Sequence, residues 1–338
     1  MTEVTRPALV TGASGFIGRH LLRALLGRKR RVYALCRRPD AFEDLGHPGL
    51  QVVPGDLEDP ASYLRHLDRE VTVFHLAGVR SAPGTPSDRM QRVNVAATLG
   101  LGRASLQAGV ARFVHVATAT VFGPSPTRDL TEADGYGEET RRDGYSRSKA
   151  AAALGMRALA AEGLRVVSVF PTIVFGPDHP SHPNRVTGQV RRLLRSRVDL
   201  VFGGGGQQRN LVLVDDIVKG LLLAETCDRP GEELLLGGDH VSPRRFNEMV
   251  RALAGRKARV TLSVPRGAAL AAARVMDRLR GYPAESGYET AIGMLGEEWR
   301  YSSLKAQRIL GYTWTPLREA VLDTLRSLQT SSRDRVNP

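Results

Sequence analysis

One short run of residues constrains the fold more than any other. Gly12-Ala13-Ser14-Gly15-Phe16-Ile17-Gly18 follows directly on the apolar tetrad Ala8-Leu9-Val10-Thr11, and a stretch with helical apolar spacing, 16–26, begins inside it. The order is strand, glycine turn, helix. Glycines let the chain turn sharply and let bare backbone approach a ligand, while the helix start offers oriented N–H groups and the positive end of its dipole. This favours an anion, above all a pyrophosphate, so Gly12, Ser14, Gly15, Phe16, Ile17 and Gly18 are expected to hold one. The spacing is G-x-x-G-x-x-G, a variant of the G-x-G-x-x-G dinucleotide fingerprint.

The first half repeats the same alternation. Short apolar runs at 31–36, 51–53, 71–76, 113–117 and 166–170 read as buried strands separated by helical stretches. Parallel strands with crossover helices follow, giving an α/β fold with a doubly wound parallel sheet. Beyond residue 176 the rhythm changes. Prolines and histidines crowd 177–183, four glycines fill 203–206, and helices are predicted at 186–194, 215–225, 244–253 and 317–328. The expected division is a nucleotide-binding domain of 1–175 with 209–237, a smaller discontinuous substrate-binding region of 176–208 with 238–329, and a frayed tail at 330–338. The N-terminus lacks a signal-type apolar segment, and no apolar run approaches the ~20 residues of a membrane span. A cytoplasmic location is therefore expected.

The end of the second strand bears on cofactor choice. An Asp or Glu there would bind a ribose 2′-hydroxyl. The sequence has Cys36 followed by Arg37 and Arg38, whose guanidinium groups suit a 2′-phosphate through charge-assisted forked hydrogen bonds. The cofactor is expected to be NADP(H) in preference to NAD(H). Further on, Tyr145 and Lys149 stand one turn apart on an alanine-rich helix. A lysine charge beside a phenol favours phenolate and brings its pKa toward working pH, which suits proton transfer. Thr118, at the carboxyl edge of the fifth strand, puts a hydroxyl at the crevice, with Thr120 and Phe122 in the same substrate-facing segment.

Together these motifs resemble the extended short-chain dehydrogenases/reductases of the NAD-dependent epimerase/dehydratase family, which implies a Rossmann-like sheet. The resemblance spans nearly the whole chain. Thr11 to Gly18 is similar to the family's glycine turn, Asp56-Leu57 to its adenine-contacting pair, and Leu76-Ala77-Gly78 to a strand-end loop beside the cofactor. The likeness implies that Tyr145 transfers the proton, Lys149 tunes it and holds a ribose, Thr118 binds the substrate oxygen, and Asn94 completes the catalytic set. It also places Pro171 and Ile173 by the cofactor, and Val174 and Arg209 by the substrate. Ile173 and Val174 stand where sugar-nucleotide enzymes carry asparagine. With Pro171 and the Gly176-Pro177 ending, they make the chain more similar to the dihydroflavonol reductase and 3β-hydroxysteroid dehydrogenase branch. The implied reaction interconverts a ketone and a secondary alcohol of largely apolar character. Arg209 keeps a second reading open, a nucleotide-sugar epimerase or dehydratase with tightly held NAD; the plainer reading of Arg209 is a surface residue near a helix capped by Asp215. Relatives pair through helices corresponding to 94–106 and 145–161, so a homodimer is expected.

The remaining features point to no further partner. The net charge is +13, but arginine is dispersed and aromatics make up only 6%, so a solvated basic surface is expected and no nucleic acid partner. Two cysteines and the scattered His179, His182 and His240 give no metal site. The basic amphipathic stretch 268–279, with Arg274 and Arg278, is expected to pack on the substrate region in preference to lying on a membrane.

Overall fold

The computed structural model describes residues 5–80, 82–136, 143–179, 182–256 and 260–333. In chain order the first elements are β1 (Ala8–Thr11), α1 (Phe16–Gly27), β2 (Val32–Cys36), β3 (Leu50–Pro54) and β4 (Thr72–His75). Next comes a long helix in three parts: α2 (Ser87–Met90), a π-helical stretch (Gln91–Ala97) and α3 (Thr98–Ala108). Then follow β5 (Arg112–Val116), α4 (Gly144–Ala161), β6 (Val166–Pro171) and β7 (Ile173–Phe175).

Seven strands form one parallel sheet in the order β10-β6-β5-β4-β1-β2-β3, where β10 spans Glu233–Leu236. Each strand of the centre is buried on both faces, as its continuous apolar sequence requires. The order reverses between β1 and β4, so the crevice beyond their carboxyl ends is the switch point where such sheets take ligands. Val10 and Leu22 on one side, and Leu9 and Phe113 on the other, anchor separate apolar layers under the helices.

The later chain adds α5 (Arg185–Arg195), β8 (Val198–Phe202), β9 (Arg209–Leu213) and α6 (Val214–Glu225) before β10. After it come β11 (Asp239–Val241), α7 (Pro243–Leu253), β12 (Val260–Val264), α8 (Arg266–Arg280), α9 (Tyr288–Leu295), α10 (Leu304–Leu310) and α11 (Leu317–Arg333). Two small sheets form here, β11-β9-β7 and β12-β8. Thus β9 pairs outside the main sheet, although its neighbour α6 returns the chain to β10.

Two sequence expectations change. Residues 330–333 continue α11 and are not frayed tail; 334–338 lie outside the described residues. Asp215 sits in the first turn of α6, while Leu213 takes the N-cap, because the strand runs straight into the helix. The stretch 268–279 is helical within α8 and packs against α9 of the later region, with its larger aliphatic side chains left outside that contact. Only Ala273 and Asp277 are buried, and Val275, Met276 and Leu279 face outward. Small Ala273 allows close approach, and Asp277 bonds the N-terminus of α9 through Tyr288 N and Glu289 N (2.7 and 2.9 Å).

Candidate active site

A cavity of about 640 Å³ opens along the carboxyl ends of the central strands. Its floor is the glycine turn. Gly12 has φ +68°, and a Cβ there would lie 2.6 Å from Ala77 N. A Cβ on Gly18 would lie 2.2 Å from Gly12 O. Both positions thus demand glycine, the first for its left-handed backbone and the second for close helix–turn packing. The N-cap of α1 is Gly15, with no capping side chain, and the first turn carries no acid. An uncapped helix start facing a cavity suits a pyrophosphate.

The turn is held to the next strand end by a buried imidazole. Thr11 Oγ1 lies 2.7 Å from His75 Nδ1, whose Nε2 meets Thr98 Oγ1 at 2.9 Å, and Ala77 N donates to Thr11 Oγ1. Burial, with a further push from the Lys149 charge, drives the His75 pKa down to about 3, so the ring stays neutral. The predicted residues Ser14, Phe16 and Ile17 line this cavity, as do Asp56 and Leu57 at one end and Leu76, Ala77 and Gly78 in the middle. Cys36 and Arg37 line it at the end of β2; Arg38 does not, and is exposed one residue further out. These residues fit a dinucleotide: glycine backbone and helix start for the diphosphate, Arg37 and Asp56 toward one end, and titratable groups at the other.

Those titratable groups are Tyr145 and Lys149. Asp143 caps α4 by accepting from Ser146 N at 2.7 Å, which starts the helix so that Tyr145 and Lys149 share the face lining the cavity. Thr118 faces it from beyond β5. Asn94 stands behind the wall. It accepts from Val79 N (2.7 Å) and donates to Val79 O (3.0 Å) and to Ser148 Oγ (2.9 Å), and Ser148 Oγ donates to Tyr145 O (2.8 Å). Asn94 therefore ties the strand-end loop to α4 and lines neither cavity.

The electrostatics bring a further cation into the site. Lys149 is buried, its pKa lowered to about 8 by that burial, and its ammonium donates to Val116 O at 3.1 Å. Burial pushes the Tyr145 phenol up to about 12; Arg80 is the cation that pulls it back, and Asp143 raises it further. The Lys149 ammonium is turned to the strand carbonyl, and Arg80 is the charge that pulls the phenol down. Arg80, also lining the cavity, had no sequence motif to announce it.

A second cavity of about 320 Å³ adjoins the first through Thr172, which lines both. The Thr118 and Thr120 hydroxyls, 3.2 Å apart, bridge the two, one lining each. Its walls are mainly apolar: Ala119, Ala291, Met294, Leu295 and Trp299. Strand alternation in β7 exchanges two assignments, since neighbours point to opposite faces. Ile173, expected by the cofactor, lines the second cavity, and Val174, expected by the substrate, lines the first. Arg209 also lines the second, with Nη2 donating to Leu295 O (2.7 Å) and Nε buried without a partner among the described residues. Phe122 lines neither. It is buried edge-on against Tyr136 and Phe170, with ring centroids 5.2 Å from each. His182, Pro183 and Asn184 reach the first cavity from the proline-rich loop, of which 180 and 181 lie outside the described residues. Sequence reasoning missed these and Trp299, because only long-range folding brings them to the site.

Comparison with known proteins agrees with this geometry. Residues 8–237 match the family model described as NAD dependent epimerase/dehydratase family. A 4-hydroxy-2-methyl-3-oxo-4-farnesyl-3,4-dihydroquinoline-1-oxide ketoreductase of Stigmatella aurantiaca is 30% identical over 94% of this chain and 95% of its own length. Sterol demethylase protein B of Methylococcus capsulatus is 28% identical over 94% of this chain and 96% of its own. Among solved structures, MoeE5 in complex with UDP-glucuronic acid and NAD superposes with a TM-score of 0.77 at 29% identity, covering 96% of this chain and 99% of that one.

Proposed function

The chain belongs to the NAD-dependent epimerase/dehydratase family of extended short-chain dehydrogenases/reductases, and from that premise we propose that it interconverts a largely apolar ketone and its secondary alcohol, with NADP(H) as hydride partner. The observation that carries this reading is the adjoining pair of cavities. One is lined by Thr118, Tyr145 and Lys149; the other is mainly apolar and joins it at Thr172. The relatives named for a farnesyl-quinoline ketone and for a sterol support an apolar substrate.

The nicotinamide, when bound, supplies or accepts the hydride at the carbonyl carbon. In reduction, Tyr145 Oη gives its proton to the carbonyl oxygen; in oxidation it takes that proton back. Thr118 Oγ1 donates to the same oxygen and orients it. Lys149 holds positive charge at the cofactor end of the cavity. Arg209 Nε and the buried Ser286 Oγ, both unpartnered among the described residues, offer polar contacts in a wall that is mainly apolar. Arg37 in the cavity, with Cys36 where an NAD enzyme would carry a carboxylate, supports NADP(H).

Tyr145→Phe should lose turnover by roughly a thousandfold while cofactor affinity stays near wild type. Retained catalysis would overturn the assignment. A second reading, a nucleotide-sugar epimerase or dehydratase, is favoured by Arg209 in the second cavity and by the MoeE5 likeness. Denaturing fresh protein separates the two. Little bound nucleotide, with NADPH binding more tightly than NADH, supports the reductase; near-stoichiometric retained NAD⁺ supports the epimerase.

A further inference from the structure

Exposed apolar surface is concentrated in one part of the chain. Of the nine exposed large hydrophobic side chains among the described residues, seven lie on β8, β12 and α8. Val198 and Leu200 stand in register with Val260 and Leu262, while Asp199 and Val201 between them turn inward. This pair of strands thus shows an aliphatic face outward. From β12 the chain passes through Pro265 directly into α8.

On α8 the pattern is sharper. Ala268, Ala272, Val275, Met276 and Leu279 are all exposed, and their spacing sets them on one helix face, opposite buried Ala273 and Asp277. Leu279 is 78% exposed and Val275 55%. Arg278 borders this face, Arg274 stands on the same side and is ion-paired with Glu289 (2.7 Å), and Arg266 and Arg280 mark the helix ends, all exposed. The only acid of the helix, Asp277, is turned inward. An outward apolar stripe bordered by arginines is the arrangement of a helix that lies in a lipid interface. At 15 residues α8 is too short to span a bilayer. A second copy of the chain suits this face poorly, because like-charged arginines would meet.

We propose that α8 docks the protein on an anionic lipid surface, with Val275, Met276 and Leu279 entering the head-group boundary and Arg278 and Arg280 on lipid phosphates. The docking helix is coupled to the site. Asp277 caps α9, and Thr290, Ala291 and Met294 of α9 line the apolar cavity. An apolar substrate held in the bilayer would thus meet its cavity one helix away; that part rests on the ketone reading above.

The test is flotation of the full chain with vesicles of phosphatidylcholine alone and of phosphatidylcholine mixed with phosphatidylglycerol. The protein should float with the anionic vesicles and not with the neutral ones. Val275→Asp/Leu279→Asp should reduce flotation roughly tenfold or more, and Arg278→Glu should weaken it. Both variants should keep the circular dichroism of the parent and its turnover of a water-soluble ketone. No flotation with anionic vesicles, equal flotation with neutral ones, or undiminished flotation of the double variant would overturn the proposal. So would self-association abolished by the same variants, or displacement of the vesicles by single-stranded RNA at equal phosphate. Failure of ketone reduction with flotation intact would sink the reductase reading alone; the converse would sink the docking alone.

Discussion

Lys149 illustrates what this site costs the fold. Its pKa falls from 10.5 to about 8 because its ammonium is buried. At ~1.4 kcal/mol per unit, the charged lysine destabilises the native state by about 3 kcal/mol near neutral pH. The sign follows from the direction. Below about 8 the native state must carry the charge, whereas above the unfolded value both states are neutral and the cost vanishes. Lys149→Met should therefore stabilise the protein against urea at pH 7 by up to about 3 kcal/mol, lose that advantage at strongly alkaline pH, and abolish turnover. A destabilised variant at neutral pH would refute this account. Arg80 makes a second prediction. It is the cation that lowers the Tyr145 phenol, so Arg80→Met should raise that pKa. Reduction needs the protonated phenol, so its alkaline limb should move to higher pH. Oxidation needs phenolate and should slow at a given pH. An unmoved limb in the pH–rate profile would show that Arg80 does not act on the tyrosine. At this scale the sequence was legible where chemistry travels with a local motif, as at Gly12, Gly18, Tyr145 and Lys149. It was silent on Arg80, which reaches the phenol only through the fold.

Among the elements, the π-helical stretch does what regular helix would not. Widening the helix over Gln91–Ala97 accompanies the inward placement of Asn94, which is wholly buried. From there one side chain satisfies both backbone groups of Val79 and holds Ser148. Asn94→Ala leaves these groups without their partner and should cost about 2 kcal/mol in urea unfolding, with weaker cofactor binding as the loop at 76–79 loosens. Unchanged unfolding would mean that water replaces the amide. The buried strands and amphipathic helices of the first half were plain in their periods, whereas the π-helical stretch has no such signature. Nor do β7, β9 and β11, each of five residues or fewer, whose pairings are set by partners distant in sequence. Without β7 as a strand, its alternation was invisible, so Ile173 and Val174 were exchanged. Phe122 was misplaced for a related reason. The short 3-10 turn after Thr118 sends it into the aromatic cluster with Tyr136 and Phe170.

For the whole molecule, charge and topology make separate claims. The net charge of +13 gives any anionic surface a long-range attraction, so vesicle binding should fall several-fold when salt rises from ~0.1 to ~0.5 M. Indifference to salt would leave the apolar stripe as its sole cause. The sequence showed a doubly wound sheet because that is written in element order. It did not show which face of α8 would be covered, because that depends on Asp277 meeting α9 across a chain reversal. The order of the main sheet carries a consequence for synthesis. Its outermost strand, β10, pairs with β6 only after the chain has made β7, α5, β8, β9 and α6. On the ribosome, β6 therefore emerges long before its neighbour. Until β10 arrives, the hydrogen-bonding edge from Ser168 to Pro171 is open to any extended strand nearby. A chain stalled between these strands should be a client for chaperones, and fragments ending there should aggregate where the intact chain does not.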